Sequence, residues 1–319
     1  MPDIAIVCVS ANPAMDRRLR VDFLTVGAVN RAKSAQGFAG GKAAHVAMAA
    51  RALEAPAAWI GFLGGAVGQA CVRQLESLGI QVTAISSESS TRVNLEIIDA
   101  SGRVTEILEP GAQPTAEESA EFLRVCARGM RESWKHAVLV ISGSLPAGLG
   151  PDFYLALIEA GRTSNAKVFV DTSGDALRQS AKGRPDLVKV NRAEAEALAG
   201  RPLTTLQEVV RAAREILEGG AGSAAITLGG EGLIWAERKN GPVWQARPPR
   251  ANVISAVGCG DATLAGFAHA AVQGMAGEEA LRLAAACGAA NCVATAPGRI
   301  ELATVKALLP QIEVQQIAF

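Results

Sequence analysis

The chain has 319 residues, enough for one large domain or two modest ones with a sizeable core. Lysine plus arginine and aspartate plus glutamate balance at 31 each, so no charge excess points to nucleic acid or to an anionic membrane surface. Six scattered cysteines without C-x-x-C pairs, no basic-then-apolar leader, and no apolar run near the ~18 residues of a membrane span predict a soluble, cytoplasmic protein in a reducing compartment.

The β-branched run Ile4 to Val9 reads as a buried strand, with Asp16 just beyond its end as a binding candidate or a turn residue. From Leu19 to Phe38 short alternating pieces suggest strands exposed on one face and separate from the main sheet. Gly40-Gly41-Lys42 then opens an alanine-rich helix. A lysine in a first turn opposes the helix dipole, which suggests an anionic ligand, although a solvated turn lysine is the alternative. His45, three residues on, reads from pattern alone as a packed core histidine.

Ala57–Leu63, Val67–Leu78 and Ile80–Ile85 give a strand, helix, strand rhythm. Thr91 to Ile98 alternates polar and apolar residues, and Asp99-Ala100-Ser101-Gly102 returns the chain to a second strand over Val104–Leu108. Arg92 and Asn94 share the polar face, where a guanidinium fork can grip a phosphate; a solvated strand face is the alternative.

A helix is predicted over Glu117–Glu132, a strand over Ala137–Ile141, a helix over 151–161 and a strand over 167–171, with Ser142 and Ser144 in the small-polar loop Ser142-Gly143-Ser144-Leu145-Pro146. Those serines either bind hydroxyls or turn the chain. The strand Leu187–Val190 carries Lys189 at its end, within reach of a phosphate. Asn191 and Glu194, three apart at a helix start, either orient metal-bound water or cap their helix. A helix over Leu206–Gly219 and strands over Ala224–Leu228 and Leu233–Ala236 surround Gly229-Gly230-Glu231-Gly232.

The stretch Ser255 to Gly266 organises the rest. Gly258 and Gly260 flank Cys259 and lead through Asp261 into a helix predicted from Ala262 to Gln273, with another from Glu278 to Ala294. Glycines permit a turn whose N–H groups converge, and a helix N-terminus adds its dipole, so this is an anion site. A carboxylate beside bound phosphate is electrostatically awkward unless a proton acceptor is needed there. Phosphoryl transfer with Asp261 as general base follows, against the alternative of a capped tight turn. With every glycine-rich loop after an apolar strand, the pattern is α/β: a doubly wound, mostly parallel sheet flanked by helices. An oxidoreductase would need G-x-G-x-x-G after the first strand, which is lacking.

Seven motifs in this order carry a resemblance: Asn12-Pro13-Ala14-x-Asp16, Gly40-Gly41-Lys42, Arg92-Val93-Asn94, Ser142-Gly143-Ser144-Leu145-Pro146, Lys189-x-Asn191-x-x-Glu194, Thr227-Leu228-Gly229-Gly230-Glu231-Gly232 and Gly258-Cys259-Gly260-Asp261. The chain resembles, over nearly its whole length, the ribokinase-like PfkB carbohydrate kinases, in particular their 1-phosphofructokinase and tagatose-6-phosphate kinase subgroup. The resemblance implies one ribokinase-like domain over 1–319, with a small β-sheet lid formed by about 17–38 and 91–108 that closes the site and pairs two subunits into a homodimer.

It implies Asp261 as catalytic base, with N–H groups around Gly258, Cys259 and Gly260 holding the transferring phosphoryl charge. Lys42 and Arg92 match positions facing the phosphate already on the sugar, and Asp16, Gly40 and Gly41 match sugar contacts; His45, Asn94 and Ser144 belong to that side. Lys189, Thr227, Gly229, Gly232, Ser255 and Asn291 fall on the nucleotide side, and Asn191 with Glu194 matches the motif associated with Mg²⁺, through water. ATP and Mg²⁺ are the implied cofactors, with a monovalent cation a further candidate. Ala43 and His45 stand where the family usually has glycine and asparagine, so sugar recognition beside Lys42 is expected to differ. Cys259 stands for a commoner alanine, which exposes the turn to oxidation, and Val190 replaces a common proline with little consequence.

The expected substrate is a phosphorylated ketohexose, foremost fructose 1-phosphate. Tagatose 6-phosphate, fructose 6-phosphate, a free sugar and a nucleoside are the alternatives within the class. A sugar-phosphate-binding regulator without turnover is the alternative outside it, and the intact Asp261 and both glycines speak against that.

Overall fold

The computed structural model describes residues 4–317. In chain order, β1 (Ile6–Ser10) is followed by β2 (Ala14–Arg20) and β3 (Ser34–Gly40), then α1 (Lys42–Ala52), β4 (Ala57–Leu63), α2 (Gly65–Ser77) and β5 (Gln81–Ser86). The hairpin β6 (Arg92–Ile98) and β7 (Val104–Leu108) leads to α3 (Ala116–Glu132), β8 (Val138–Ser142), α4 (Phe153–Thr163), β9 (Val168–Asp171) and α5 (Gly174–Lys182). Then come β10 (Leu187–Asn191), α6 (Arg192–Ala199), α7 (Leu206–Glu218), β11 (Ala224–Thr227), β12 (Leu233–Ala236) and β13 (Val243–Arg247). The chain closes with α8 (Cys259–Val272), α9 (Gly277–Cys292), α10 (Leu302–Leu308) and β14 (Glu313–Ile317).

Ten strands form one sheet in the order β14-β13-β12-β11-β10-β9-β8-β1-β4-β5. It is parallel from β5 to β11, and β12, β13 and β14 add an antiparallel edge. The first strand explains the layering. Every residue of β1 is buried because alternate side chains serve opposite faces. Ile6 and Cys8 pack with residues of α1, α8 and α9, whereas Val7 and Val9 pack with those of α3 and α4. A strand dry on both sides needs a continuous apolar run rather than alternation, and that is what Ile6–Val9 supplies.

From β1 the chain winds outward through β4 and β5, and from β8 it winds the other way through β9, β10 and β11. The β1/β8 boundary is therefore the point where strand order reverses, and a crevice opens there beyond the strand ends. The second sheet, β3-β2-β6-β7, has polar positions facing that crevice and starts three residues earlier than its predicted limit of 17.

Four elements have weak sequence signals: α5 is nine residues, α10 is seven, β13 buries a glutamine, and β14 is a polar edge strand held by β13. The predicted start of the organising helix also moves. Gly258 takes φ 81°, and helix α8 begins at Cys259, so Gly260 and Asp261 lie inside its first turn. Among the described residues no helix is long and apolar enough to cross a membrane.

Candidate active site

The loops after β1, β8, β9, β10 and β11 and the N-termini of α1 and α8 line one cleft of about 1190 Å³. That is room for two ligands meeting end to end. Asp261 lies at its floor with only 5 % of its surface accessible. Cys259 N–H closes the turn onto Ala256 O at 3.2 Å, while the N–H groups of Gly260 and Asp261 have no backbone partner, which leaves them available to an anion. Neither glycine beside Cys259 can be replaced freely. A Cβ on Gly258 would combine positive φ with a 2.9 Å approach to Pro297, and one on Gly260 would lie 2.5 Å from Lys189 Nζ.

His45 is buried, as its pattern predicts, and on the cleft wall it joins two carboxylates. Its Nδ1 is 2.9 Å from Asp261 Oδ2, and its Nε2 is 2.9 Å from Asp16 Oδ2. The second contact is poorly aligned for a linear hydrogen bond, so charge rather than direction holds that side. Burial by itself would push the imidazole toward its neutral form, but the hydrogen bond with Asp261 and the charge of both aspartates outweigh it and lift the pKa to about 10. These contacts favour the imidazolium form of His45. Burial acts on Asp16 in the raising direction, and His45, the Asn94 amide and the Gly41 N–H together hold it below the usual carboxylate range.

The local sequence builds this corner. Asp16 and Asn94 are direct register partners on the parallel pair β2/β6, and Asn94 Nδ2 donates to Asp16 Oδ1 at 2.9 Å. Gly41, at φ 84°, donates to Asp16 Oδ2 at 3.3 Å, and a Cβ on Gly40 would collide with the same carboxylate. Gly41 lines the cleft, while Gly40 contributes by leaving room for Asp16. Arg92 reaches across to the carbonyl oxygens of Asn12, Pro13 and Glu109, which fixes the guanidinium on the cleft wall. Ser144 lines the cleft too, its Oγ accepting from Asn12 Nδ2 at 3.1 Å.

The structure separates Lys42 from Arg92. Lys42 Nζ pairs with Asp171 Oδ1 at 2.7 Å and Glu194 Oε1 at 3.1 Å, toward the β9 and β10 ends rather than the small sheet. Lys189 Nζ meets the other oxygen of Asp171 at 2.6 Å. Asp171 is fully buried, and the two lysines overcome burial to keep it ionised. This aspartate was not singled out from the sequence. Its signal was an acidic residue closing an apolar strand on the ligand edge, one strand away from Lys189.

Asn191 and Glu194 form a reciprocal capping box on α6: Asn191 Oδ1 accepts from Glu194 N, and Glu194 Oε2 from Asn191 N, both at 2.8 Å. Both residues line the cleft, as do Thr227, Gly229 and Gly232. Two residues placed on the nucleotide side do not reach the cleft wall. Ser255 Oγ donates to Glu96 Oε1 at 2.8 Å and accepts from Val257 N, and Glu96 holds Arg18 through both carboxylate oxygens. Asn291 is 2 % accessible, donating to Val257 O and accepting from Gly298 N. Both are satisfied internally and brace the 255–258 turn; the sequence showed their polarity but not their partners.

The sequence matches the pfkB family carbohydrate kinases over residues 4–302. It is 32 % identical to the 1-phosphofructokinase of Vibrio cholerae over 313 residues, covering 98 % of this chain and 97 % of that protein. It is 35 % identical to the 1-phosphofructokinase of Rhodobacter capsulatus over 288 residues, covering 89 % of each. The structure superposes on phosphofructokinase-2 from Escherichia coli in complex with substrates and products with a TM-score of 0.89, at 27 % identity and over 97 % of this chain and 99 % of that one. The E. coli protein has also been solved in complex with potassium and as a tetrameric inhibited form. With family match, near-complete coverage and ligand cleft in agreement, the chain belongs to the pfkB family of carbohydrate kinases.

Proposed function

We propose that the protein transfers the γ-phosphoryl group of ATP to a hydroxyl of fructose 1-phosphate, giving fructose 1,6-bisphosphate and ADP. The observation that carries this is the position of Asp261, in the first turn of α8, in one cleft with Arg92, Asn94 and Asp16 at one end and the loops of β10 and β11 at the other. Asp261 accepts the proton of the sugar hydroxyl as its oxygen bonds to phosphorus and the bond to ADP breaks. The first-turn donors of α8 receive the charge gathering on the transferring group. Arg92 takes the phosphate already on the sugar, and Asp16 with Asn94 takes sugar hydroxyls. Lys42 and Lys189 form the charged floor of the nucleotide side, held from beneath by the buried Asp171, a different place for Lys42 from the clamp expected on sequence.

A divalent cation fits this cleft indirectly. Among the described residues no three His, Cys, Asp or Glu side chains converge as a metal cage, and Glu194 is shared between its own cap and Lys42. Mg²⁺ keeps several waters and binds through one or two carboxylates plus substrate phosphates, a mode that Asn191 and Glu194 serve through water. Bound there, it would neutralise phosphate charge. A monovalent cation is a further candidate, tested by replacing potassium with a large quaternary ammonium.

The small sheet is the lid of a single kinase domain, and the apolar residues Phe23, Val26 and Val29 of the connection between β2 and β3, with Ile107 and Leu108 of β7, are 52–96 % accessible, a face for a second copy of the chain. All six cysteines are free, as suits a cytoplasmic enzyme.

The test is ADP release with fructose 1-phosphate, fructose 6-phosphate, tagatose 6-phosphate and fructose. Fructose 1-phosphate should give the highest kcat/KM, by at least about tenfold over the 6-phosphates, since a rigid guanidinium set at one end of the cleft discriminates by position. A higher value for a 6-phosphate or for fructose overturns the substrate assignment, and absence of ADP release with every sugar overturns the kinase reading.

A further inference from the structure

Cys259 is the first residue of α8 and Cys292 the last residue of α9, and their sulfur atoms lie 2.6 Å apart on the wall of the cleft. The other four cysteines are at most 2 % accessible, and burial pushes all of their thiols up, Cys71 and Cys287 to about 12. Such thiols are inert, so chemistry on sulfur is directed to one pair. We propose that Cys259 and Cys292 are a reversible disulfide modification site that disables the phosphoryl-binding turn when oxidised by a peroxide or a small-molecule disulfide.

The S–S bond is about 2.05 Å long, so closure asks the sulfurs to approach by only about 0.6 Å. In the contact between the two thiols either sulfur can be the donor. Either thiol can attack once deprotonated, and the products are the same. Where Cys292 attacks a peroxide, it takes one oxygen, forms a sulfenic acid and releases water after protonation. Cys259 sulfur then attacks the sulfenic sulfur and expels the second water. Two thiols and one peroxide give one disulfide and two waters, and with a small-molecule disulfide the products are two small-molecule thiols.

The consequence follows from where Cys259 sits. It lies between the two glycines of the turn, its sulfur also donates to Ser255 O at 3.7 Å and accepts from Asn291 Nδ2 at 3.4 Å, and Asp261 is two residues away. A disulfide replaces those contacts and ties the start of α8 to the end of α9. Catalytic constellations tolerate displacements of about 0.5 Å, so a shift of this size at the first helical residue is enough to lower turnover.

The effect on turnover rests on the kinase reading above, whereas the disulfide does not. The full-length protein is treated with hydrogen peroxide or oxidised glutathione and read by intact mass, peptide mapping and ADP release, with and without ATP present. Expected are a loss of two hydrogens, a cross-linked peptide joining Cys259 and Cys292, at least about tenfold lower kcat, recovery with dithiothreitol, and slower oxidation with ATP bound. In Cys292→Ala the ratio of oxidised to reduced activity should stay near one, whatever its absolute rate. Absence of the cross-linked peptide overturns the site. The cross-link without loss of turnover, or equal loss in Cys292→Ala, overturns the switch. If no sugar supports turnover, nucleotide-binding calorimetry of the two redox forms replaces the rate, and equal affinities overturn the switch.

Discussion

Replacing His45 with asparagine removes the one positive charge between Asp16 and Asp261. A native pKa of about 10 against an ordinary 6.5 corresponds, at about 1.4 kcal/mol per pH unit, to about 5 kcal/mol of stabilisation of the charged form. Relaxation and water entry reduce that figure, and loss of one partner from a buried ion pair costs about 3–5 kcal/mol, so about 3 kcal/mol is expected for His45→Asn near neutral pH. The sign with pH is fixed. Between the unfolded and folded values only the native state holds the proton, so the contribution is fully present below pH 6.5 and declines as pH rises through about 10. Urea unfolding of both proteins from pH 6 to 10 measures this. Wild type should lose up to about 1.4 kcal/mol per pH unit relative to His45→Asn above pH 6.5, and the two curves should converge near the top of the range. Parallel curves would mean that His45 is neutral and that its place between the carboxylates is a matter of packing. Histidine side-chain NMR at pH 8 gives the same answer independently, since an imidazolium there requires the bridging arrangement.

Three further substitutions probe the cleft. Asp261→Asn keeps the shape of the α8 turn but cannot accept a proton, so kcat should fall by about 10²–10⁴ with ATP affinity retained; substantial ADP production by this variant rules out the base assignment. Arg92→Ala should raise KM for the sugar phosphate by at least tenfold and leave KM for ATP nearly unchanged, whereas Lys42→Met, which frees Asp171 and Glu194, should act mainly on the ATP side. Equal effects of both variants on both substrates would show that the two cations share one ligand.

Much of the architecture was legible because parallel strands buried on both faces write themselves as continuous apolar runs. Ile6–Ser10, Ala57–Leu63 and Val138–Ser142 are buried throughout and stand within a residue or two of their predicted limits. The elements that escaped notice have no such signature: Glu313–Ile317 is a polar edge strand defined by its partner Val243–Arg247. Arg92 and Asn94, read as sharing the polar face of their strand, both line the cleft, and Glu96 is found there with them. The capping alternative for Asn191 and Glu194 is realised in full, and it coexists with a place on the cleft wall because a cap at a strand's carboxyl end lies on the ligand edge.

The partners of polar side chains are a different matter. The sequence by itself determined that glycine turns followed apolar strands, that an aspartate stood at the start of a helix after Gly258 and Gly260, and hence that anions gather at one edge of a wound sheet. Only the tertiary structure decided that Lys42 turns to Asp171 and Glu194, that His45 bridges Asp16 and Asp261, that Ser255 latches Glu96, and that Cys259 meets Cys292. These pairs are separated by 29 to 216 positions in the chain. Periodicity reports the burial of a face, which is a local property. Which charge meets which across the cleft depends on the order in which the strands are wound, and no local pattern encodes that.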